Sequence, residues 1–291
     1  MDPFRSYYIS SIFPELKKIE NERRILEKKI MTITIITIII LTAVVGYLFI
    51  LTHNINVAYL YFAIPMPYTF LLKDLIKSYS KKYKETVIKN LFLSYFEHYT
   101  IDTERKSDLL KIPHSGLLPL NKNYRVETED FITVKNKGND ICIQEIIIKQ
   151  NKKVFLKGML YSLTLKKPIN QNLIFKKYVS DSKSKFIEEN GFKMVEVDNV
   201  SVYYQNDIDK ELLKPFIAFT VENNLPLSIQ NGKLYCLSCS DMVFNDKLDL
   251  FEPVLLSKYN SNDTYRFIRD EYKKIDKISS LLIKLEEINM A

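Results

Sequence analysis

Apolar residues dominate one continuous block near the N-terminus. From Ile30 to Leu72, 43 consecutive residues include no Asp, Glu, Lys or Arg. A charge at the centre of a bilayer costs about 3 kcal/mol or more, so an uncharged block of this length is typical of a membrane segment. One helix crosses the hydrocarbon core in roughly 20 residues. The block therefore predicts two spans, about 30–52 and 55–72, joined by the polar break His53–Asn56. One long span followed by a re-entrant or interfacial segment is the alternative.

The pattern on both sides of this block predicts amphipathic helices. Residues 1–29 form the N-terminal segment and residues 261–291 the C-terminal one, and each carries an apolar stripe at steps of three and four. We expect the two helices to pack together near the membrane, in one chain or between two chains; packing of each on the globular domain is the alternative. Residues 73–98 predict a juxtamembrane helix that continues from the second span. The two terminal stripes are Ile12, Leu16, Ile19, Leu26 and Ile30, and Ile268, Tyr272, Ile275, Ile278, Leu282 and Leu285.

Residues 99–260 show the alternation of a strand-rich domain. Helices are predicted at Ser182–Asn190 and Asp207–Asn223. Asn231-Gly232, between two strand patterns, predicts a tight hairpin. The predicted strands are Phe131–Asn136, Ile141–Lys149, Val154–Leu165, Leu173–Val179, Phe192–Val197, Ser201–Tyr204, Leu227–Gln230, Lys233–Ser238 and Phe251–Leu255.

Charge adds an orientation to this picture. The chain has a net charge of +7, of which residues 15–29 contribute +2, residues 73–89 contribute +4 and residues 90–291 contribute +1. Excess Lys and Arg on both sides of a hairpin is the positive-inside pattern, which places both termini in the cytoplasm. A nearly neutral domain without a basic stripe does not favour nucleic-acid binding.

The lysines after the second span have two interpretations. They set the topology, and they are candidates for contact with anionic lipid headgroups, at about 1 kcal/mol each near the surface. These candidates are Lys73, Lys77, Lys81, Lys82 and Lys84.

Together these patterns predict an α+β protein. A two-helix transmembrane hairpin near the N-terminus precedes a cytoplasmic mixed α+β domain with antiparallel strands and a C-terminal helix. The predicted location is the bacterial inner membrane, as a multi-pass protein. The 46% hydrophobic and 26% charged composition fits folded protein and not disorder.

No motif predicts catalysis or cofactor binding. The chain has six glycines and neither a G-x-G-x-x-G sequence nor a P-loop. His53, His98 and His114 have no motif partner. Candidate carboxylates are present, but such residues are common on solvated surfaces, so no catalytic residue is assigned. They are Glu127, Glu129, Asp130, Glu196 and Asp198.

The spacing of two cysteines suggests a redox or zinc site, but their surroundings in the sequence do not favour one. Cys236 and Cys239 form a C-x-x-C pair, but zinc would need two further ligands, and a thioredoxin-like site would need a helix N-terminus. The pair lies in a strand-like run, where positions three apart point to opposite faces. We expect Cys142, Cys236 and Cys239 to be reduced strand residues, and no cofactor or metal.

The order of segments resembles a bacterial family of uncharacterised membrane proteins named domain of unknown function 3137, with a galanin-like label. The resemblance rests on the charged N-terminal helix, the two adjacent spans and four sequence blocks. Where members show an FKG-type strand, this chain has Phe155-Leu156-Lys157-Gly158, which is one residue longer. The resemblance implies the membrane-anchored architecture and no activity. The four blocks are SGLLPLNKNYRVETEDFITV, VFLKGML, FKMVEVDNVSVYYQNDIDKELLKPFIAFTVENN and LSIQNGKLYCLSCS.

The sequence therefore predicts a membrane-tethered cytoplasmic binding or scaffold domain. Its expected partners are the lipid bilayer and a membrane protein or a second copy, bound through the N- and C-terminal helices. A membrane-associated enzyme acting on a lipid-linked substrate is the first alternative. An accessory subunit of a membrane assembly, in which Pro65 and Pro67 contact a partner helix, is the second.

Overall fold

The computed structural model is an α+β fold with an antiparallel sheet and a C-terminal helix, as predicted, and the described N-terminal part is one long helix. The chain divides into two compact units, Met1–Leu91 with Leu248–Glu271 and Phe92–Lys247 with Tyr272–Ala291. The residues that the structure describes are 3–53, 56, 59, 78–94, 96–102, 116–117, 124–150, 153–177, 190–206, 210–239 and 261–290.

The N-terminal helix runs without interruption through the predicted boundary between residues 29 and 30. It consists of α1 (Pro3–Tyr7), a π-helical turn (Tyr8–Ile12) and α2 (Phe13–Thr52). The boundary is therefore a change of composition and not a break in the helix. The π-helical turn precedes Pro14, whose ring crowds the carbonyl four residues earlier. The backbone widens there, and the Phe13 N–H donates to the Tyr8 carbonyl five residues back.

Among the described residues, Phe4–Thr52 is the one helix long and apolar enough to cross a membrane, with a mean hydropathy of 2.7 in its most apolar window. Only 6% of that window is buried. Its isoleucines are exposed instead, as at Ile39 (62%) and Ile50 (69%). The helix ends at His53, where a left-handed residue (φ 49°) donates its N–H to the Phe49 carbonyl at 2.9 Å. The predicted second span, 55–72, lies outside the described residues except for Asn56 and Tyr59.

The predicted juxtamembrane helix of residues 73–98 is shorter at its C-terminal end. Residues 78–83 are α-helical, Lys84–Ile88 are π-helical and Lys89–Leu93 form α3. The prediction that this helix reaches residue 98 is wrong, because His98 begins the first strand of the sheet. The reason is non-local: the Glu97 N–H donates to the Lys135 carbonyl at 2.9 Å, so pairing with a distant strand replaces the next helical turn.

One antiparallel sheet contains the nine described strands, in the order β1-β2-β3-β4-β9-β8-β5-β7-β6. Eight predicted strands are confirmed, with shifted ends. The strand β1 and the first half of β2 were missed, and Phe251–Leu255 lies outside the described residues. The strands are β1 (His98–Asp102), β2 (Tyr124–Asn136), β3 (Asn139–Gln150), β4 (Lys153–Thr164), β5 (Leu173–Lys177), β6 (Lys193–Val197), β7 (Val200–Tyr204), β8 (Leu227–Gln230) and β9 (Lys233–Cys239).

Two-residue turns with left-handed backbone close three hairpins among the described strands, the first of them at Lys137 and Gly138 (φ of 48° and 73°) between β2 and β3. Asn231 and Gly232 have φ of 51° and 70°, which confirms the predicted tight turn between β8 and β9. Asp198 and Asn199, with φ of 50° and 61°, make a third such turn, between β6 and β7, that was not predicted. Gly232 also has a packing role, because a Cβ there would lie 3.3 Å from the Pro168 Cβ.

Two further helices complete the described part: α4 (Lys210–Asn223) and α5 (Ser261–Met290). The ring of Phe216 on α4 stacks on Phe175 of β5, with centroids 5.5 Å apart. A separate buried cluster lies on the sheet and consists of Leu117, Ile146, Ile148, Leu160 and Leu237. The predicted helix Ser182–Asn190 lies outside the described residues, apart from Asn190.

The C-terminal half of α5 is fixed to the second unit by aromatic and polar contacts. The ring of Tyr272 meets the ring of Phe92 edge-on, with centroids 6.0 Å apart. The side chain of Glu286 is fully buried and accepts a hydrogen bond of 2.9 Å from the Lys166 backbone N–H. The Asn289 side-chain amide donates to the Lys167 carbonyl at 3.1 Å. The C-terminal half of α5 therefore packs on the loop that follows β4 and binds its backbone.

Candidate membrane-proximal site

The two helical segments that flank the uncharged block pack against each other in antiparallel directions. The Tyr7 hydroxyl donates to the Asn90 carbonyl at 2.8 Å, and Lys82 forms an ion pair with Glu22. Burial and then the charges of Glu20 and Glu27 raise the pKa of Tyr79, so Tyr79 lies near the level of these residues. Residue numbers on one helix thus rise as those on the other fall. We name the pair formed by residues 3–29 and 78–91 the flanking helix pair.

An apolar layer holds the flanking helix pair together. The predicted stripe is buried through its first three members, Ile12, Leu16 and Ile19, at 0–2% exposure. The opposite helix contributes four residues that are 0–1% exposed: Tyr83, Val87, Ile88 and Leu91. A short amphipathic helix needs such a partner for its stability. Here one chain supplies both faces.

The terminal helices contact each other within one chain, through aromatic rings that lie outside the two predicted stripes. The ring of Tyr265, on the N-terminal part of α5, lies 5.1 Å from the ring of Tyr8 and 5.9 Å from that of Phe4. Burial raises the pKa of Tyr8 to about 12, so its hydroxyl stays neutral in the packed layer. This contact lies at the start of both helices.

Glu20 is the buried carboxylate of the flanking helix pair, at 3% exposure. It accepts hydrogen bonds of 2.8 Å from two nitrogens of Arg23 and one of 3.0 Å from Arg24. Burial opposes its ionisation, but the hydrogen bonds from both guanidinium groups outweigh burial, and the pKa of Glu20 is lowered. Burial, followed by the charge of Glu20, raises the pKa of Tyr79 to about 12. The charged groups at this level are thus paired or neutral.

Threonine hydroxyls in the uncharged part of α2 are satisfied within the helix. Thr32 donates to the Lys28 carbonyl at 2.9 Å, and Thr34 to the Ile30 carbonyl at 2.7 Å. Thr42 repeats this four-residue pattern with Ile38 at 2.8 Å. A polar group in hydrocarbon is costly unless it has a partner. These contacts make the threonine-rich helix compatible with lipid.

The structure places only some of the predicted lipid-contacting lysines. Lys73 and Lys77 lie outside the described residues. Lys81 is 66% exposed and lies 3.8 Å from Glu85, whereas Lys82 pairs with Glu22 and Lys84 is half-buried. The exposed ammonium group of Lys81 is therefore the most accessible to a headgroup among these.

Two further lysines, which the sequence did not predict as lipid contacts, lie directly before the uncharged block. Lys28 and Lys29 are exposed and have no acidic partner in the part of the chain that the structure describes. They line a groove of about 380 Å³ with Ile25, Thr32 and Ile33. In the sequence, only the position of these lysines indicates such a role, since Lys29 is the last charged residue before the uncharged block. A lysine beside apolar side chains suits the edge of a bilayer.

The candidate carboxylates do not form a common site among the described side chains. Glu127 on β2 pairs with Lys149 and lies 3.4 Å from Arg125. The hydrogen bond from Lys149 lowers the pKa of Glu127. Glu196 and Asp198 lie at β6, which is the opposite edge of the sheet from β1 and β2. The side chains of Glu129 and Asp130 lie outside the described set.

The cysteines and histidines are equally dispersed. Cys236 is buried in β9, and Cys142 in β3 is half-buried with its Sγ 3.9 Å from the Thr133 hydroxyl, so both are strand residues as predicted. His53 and His98 are exposed. The side chain of Cys239 and all of His114 fall outside the described residues. No group of three His, Cys, Asp or Glu that could hold a metal occurs within the described ranges.

Lys176 on β5 is a chemically unusual residue that the sequence gave no reason to select. It pairs in register with Ser201 of β7, which is 4% exposed. A buried polar contact lies in the adjoining strand β8, where the Gln230 amide donates to the Ser228 hydroxyl at 3.1 Å. Burial lowers the pKa of Lys176 to about 8. Lys176 is half-buried by its solvent exposure, and only its place in the sheet reveals this partial burial.

Comparison with protein-family models and with curated proteins gives no match to this sequence.

Proposed function

We propose that this chain tethers an α+β binding or scaffold domain to a bacterial inner membrane through a helical hairpin, with both termini in the cytoplasm. The antiparallel flanking helix pair carries the proposal. The chain leaves the flanking helix pair after Lys29 and rejoins it by residue 78. The uncharged block between them must therefore begin and end next to the pair. A hairpin that crosses the membrane twice satisfies this requirement.

Helix length supports the same proposal. Residues 30–52 of α2 rise by about 34 Å at 1.5 Å per residue. The hydrocarbon core is about 30 Å thick, so this part of α2 is long enough to cross it. The proposed second span, 55–72, would rise by about 27 Å as a helix. The two together bring the chain back to the side from which it started.

Charge supports the orientation. The segments before and after the uncharged block carry net charges of +2 and +4, and the flanking helix pair holds both segments at one end of α2. An excess of Lys and Arg on one side favours the cytoplasmic face. Lys28, Lys29 and Lys81 are the described lysines best exposed for anionic headgroups.

A binding or scaffold role is proposed for the attached domain, with a membrane protein or a second copy as partner. The enzyme alternative required carboxylates held together, and the described ones lie on distant strands. The N-terminal stripe is buried at Ile12, Leu16 and Ile19, and the C-terminal stripe is buried along its whole length, so these faces do not by themselves require a second copy. Membership of the family named domain of unknown function 3137 remains a prediction from sequence resemblance.

Cysteine accessibility tests the topology. In a chain whose three cysteines are replaced by alanine, His53→Cys should react with a membrane-impermeant maleimide in intact spheroplasts. Ser280→Cys, on an exposed position of α5, should react only after the membrane is permeabilised. Labelling of Ser280→Cys in intact spheroplasts would overturn the orientation. Extraction of the intact chain into alkaline carbonate would overturn the membrane insertion.

The binding role needs its own experiment. The tagged full chain, cross-linked in membranes and purified in mild detergent, should retain a reproducible partner that is lost with an equally tagged, unrelated two-span protein as bait. Recovery of the chain alone after cross-linking would contradict the scaffold role and leave the topology unaffected.

A further inference from the structure

Three arginines converge on one cavity at the end of the first unit remote from the uncharged block. Arg5, Arg266 and Arg269 line this cavity of about 260 Å³ together with Tyr265. Arg5 lies on α1, and the other residues lie on the N-terminal part of α5. We name it the arginine cavity. All of its lining residues belong to the first unit.

Aromatic packing explains why the two helices present their arginines together. Phe4 and Tyr8 pack on the ring of Tyr265, which fixes α1 against α5. The guanidinium carbon of Arg269 lies 5.6 Å above the centroid of the same ring, in cation–π contact. Arg5 follows Phe4 directly, and Arg266 follows Tyr265. The two arginines thus emerge next to a fixed aromatic contact.

The charge of the arginine cavity is not balanced by the described residues. Arg269 donates to Asp270 through Nε and lies 2.8 Å from its carboxylate through a second nitrogen. Arg5 and Arg266 have no acidic partner in the part of the chain that the structure describes. Like charges that converge repel one another, and a bound anion removes that repulsion.

The donor chemistry selects the type of anion. A guanidinium group presents several N–H donors in a plane and binds phosphate oxygens in pairs, which an ammonium group cannot do. Arginines from two helices can hold different oxygens of one phosphate group. We propose that the arginine cavity binds a phosphate-bearing anion from the aqueous phase.

The distance to the membrane favours a soluble ligand over a lipid headgroup. From Arg5 to Ile30 the helix is continuous, and 25 residues rise by about 38 Å. The hydrocarbon core is about 30 Å thick, and the whole bilayer with both headgroup layers is about 40–45 Å thick. Each headgroup layer therefore extends only several ångströms beyond the core. In the proposed topology the cavity therefore lies beyond the reach of the bilayer to which its own chain is anchored.

Calorimetric titration of the full chain in phosphatidylcholine nanodiscs with pyrophosphate tests this inference. Saturable binding is expected, and Arg5→Gln and Arg266→Gln should each weaken it by about tenfold, the effect of one lost charge-assisted contact. Lys18→Gln, which removes one exposed charge elsewhere on the same helix, should bind as the parent does. Arg266→Lys keeps the charge and should bind less tightly than the parent but better than Arg266→Gln.

The contrary outcomes are distinct. Absence of pyrophosphate binding by a chain with unchanged circular dichroism would overturn the inference. Equal binding of pyrophosphate and glutamate would show a general anion site and overturn the phosphate assignment. Binding of the nanodisc-embedded chain to separate vesicles that contain phosphatidic acid, lost in Arg5→Gln and not accompanied by pyrophosphate binding, would assign the cavity to a headgroup instead. None of these results bears on the hairpin, which the cysteine experiment tests separately.

Discussion

Glu22 and Lys82 lie 60 positions apart in the sequence and form an ion pair across two antiparallel helices. Their side chains are 38% and 48% exposed, so the pair contributes little stability, about 0–1 kcal/mol. Its value is geometric. It fixes the level at which the chain leaves and rejoins the flanking helix pair.

A short bifunctional maleimide should therefore join cysteines placed at these positions. With the native cysteines replaced by alanine, Glu22→Cys with Lys82→Cys should be cross-linked within one chain by such a reagent, detectable as a mobility shift in denaturing electrophoresis. Asn21→Cys with Lys82→Cys is the matched control, because Asn21 is an exposed neighbour on α2. Equal cross-linking of both pairs, or of neither, would contradict the antiparallel packing.

Glu20 should matter more to stability than its charge alone suggests. Glu20→Ala leaves Arg23, which is 15% exposed, without its buried partner, and should lower the free energy of unfolding by about 2–4 kcal/mol. The pKa of Glu20 is lowered from its ordinary value of 4.5, so its stabilising effect is present above pH 4.5 and is lost as the pH falls through the lowered value. Thermal unfolding in detergent, followed by circular dichroism between pH 7 and 3, measures both effects.

Glu27→Ala is the control for that experiment. Glu27 also contacts Arg23 but is 61% exposed, so its loss should change stability by less than about 1 kcal/mol. A similar loss in both variants would show that burial of Glu20 does not contribute.

Glu286 should fix the C-terminal helix to the loop after β4. Glu286→Ala removes the acceptor for the Lys166 N–H and should cost about 1–3 kcal/mol. Glu286→Gln keeps a carbonyl acceptor and should cost less. Glu287→Ala, at the exposed neighbouring position, should be nearly neutral. Hydrogen exchange at Lys166 reports the contact directly, and unchanged protection of that amide in Glu286→Ala would refute it.

Lys176 predicts a pH dependence of the same sign as that of Glu20, but in the alkaline range. Its pKa is about 8 in the folded chain against an ordinary value of 10.5. Between these values the unfolded chain binds more protons, so the free energy of unfolding rises with pH from about 8 to 10.5. Lys176→Met should be more stable than the parent at pH 7, because it buries no charge, and should lack this rise.

Lys177→Met supplies the comparison, since Lys177 is the exposed neighbour on β5. It should keep the rise of the parent chain. If the unfolding temperatures of Lys176→Met and the parent change in parallel between pH 7 and 10.5, Lys176 is not buried as described.

Local patterns in the sequence determined a large part of this protein. The lack of charge from residue 30 to 72 predicts two apolar helices, about 30–52 and 55–72, because backbone groups in lipid need partners within their own segment; the structure describes the first of them as part of one long helix. Alternation and turn residues predict eight of the strands, as at Asn231-Gly232, because side-chain direction and left-handed backbone are local properties. The terminal stripes that predict paired helices are likewise periodic over a few turns.

Only the tertiary structure decided which distant groups meet. His98 continues a helical pattern, yet it begins a strand because Glu97 pairs with Lys135, 38 residues away by their numbers. The burial of Lys176 follows from its place in the sheet. Arg5 and Arg266 meet because rings at both ends of the chain pack together. Each of these depends on contacts between remote parts of the sequence, whose free energy outweighs the local preference and leaves no periodic signal in the chain.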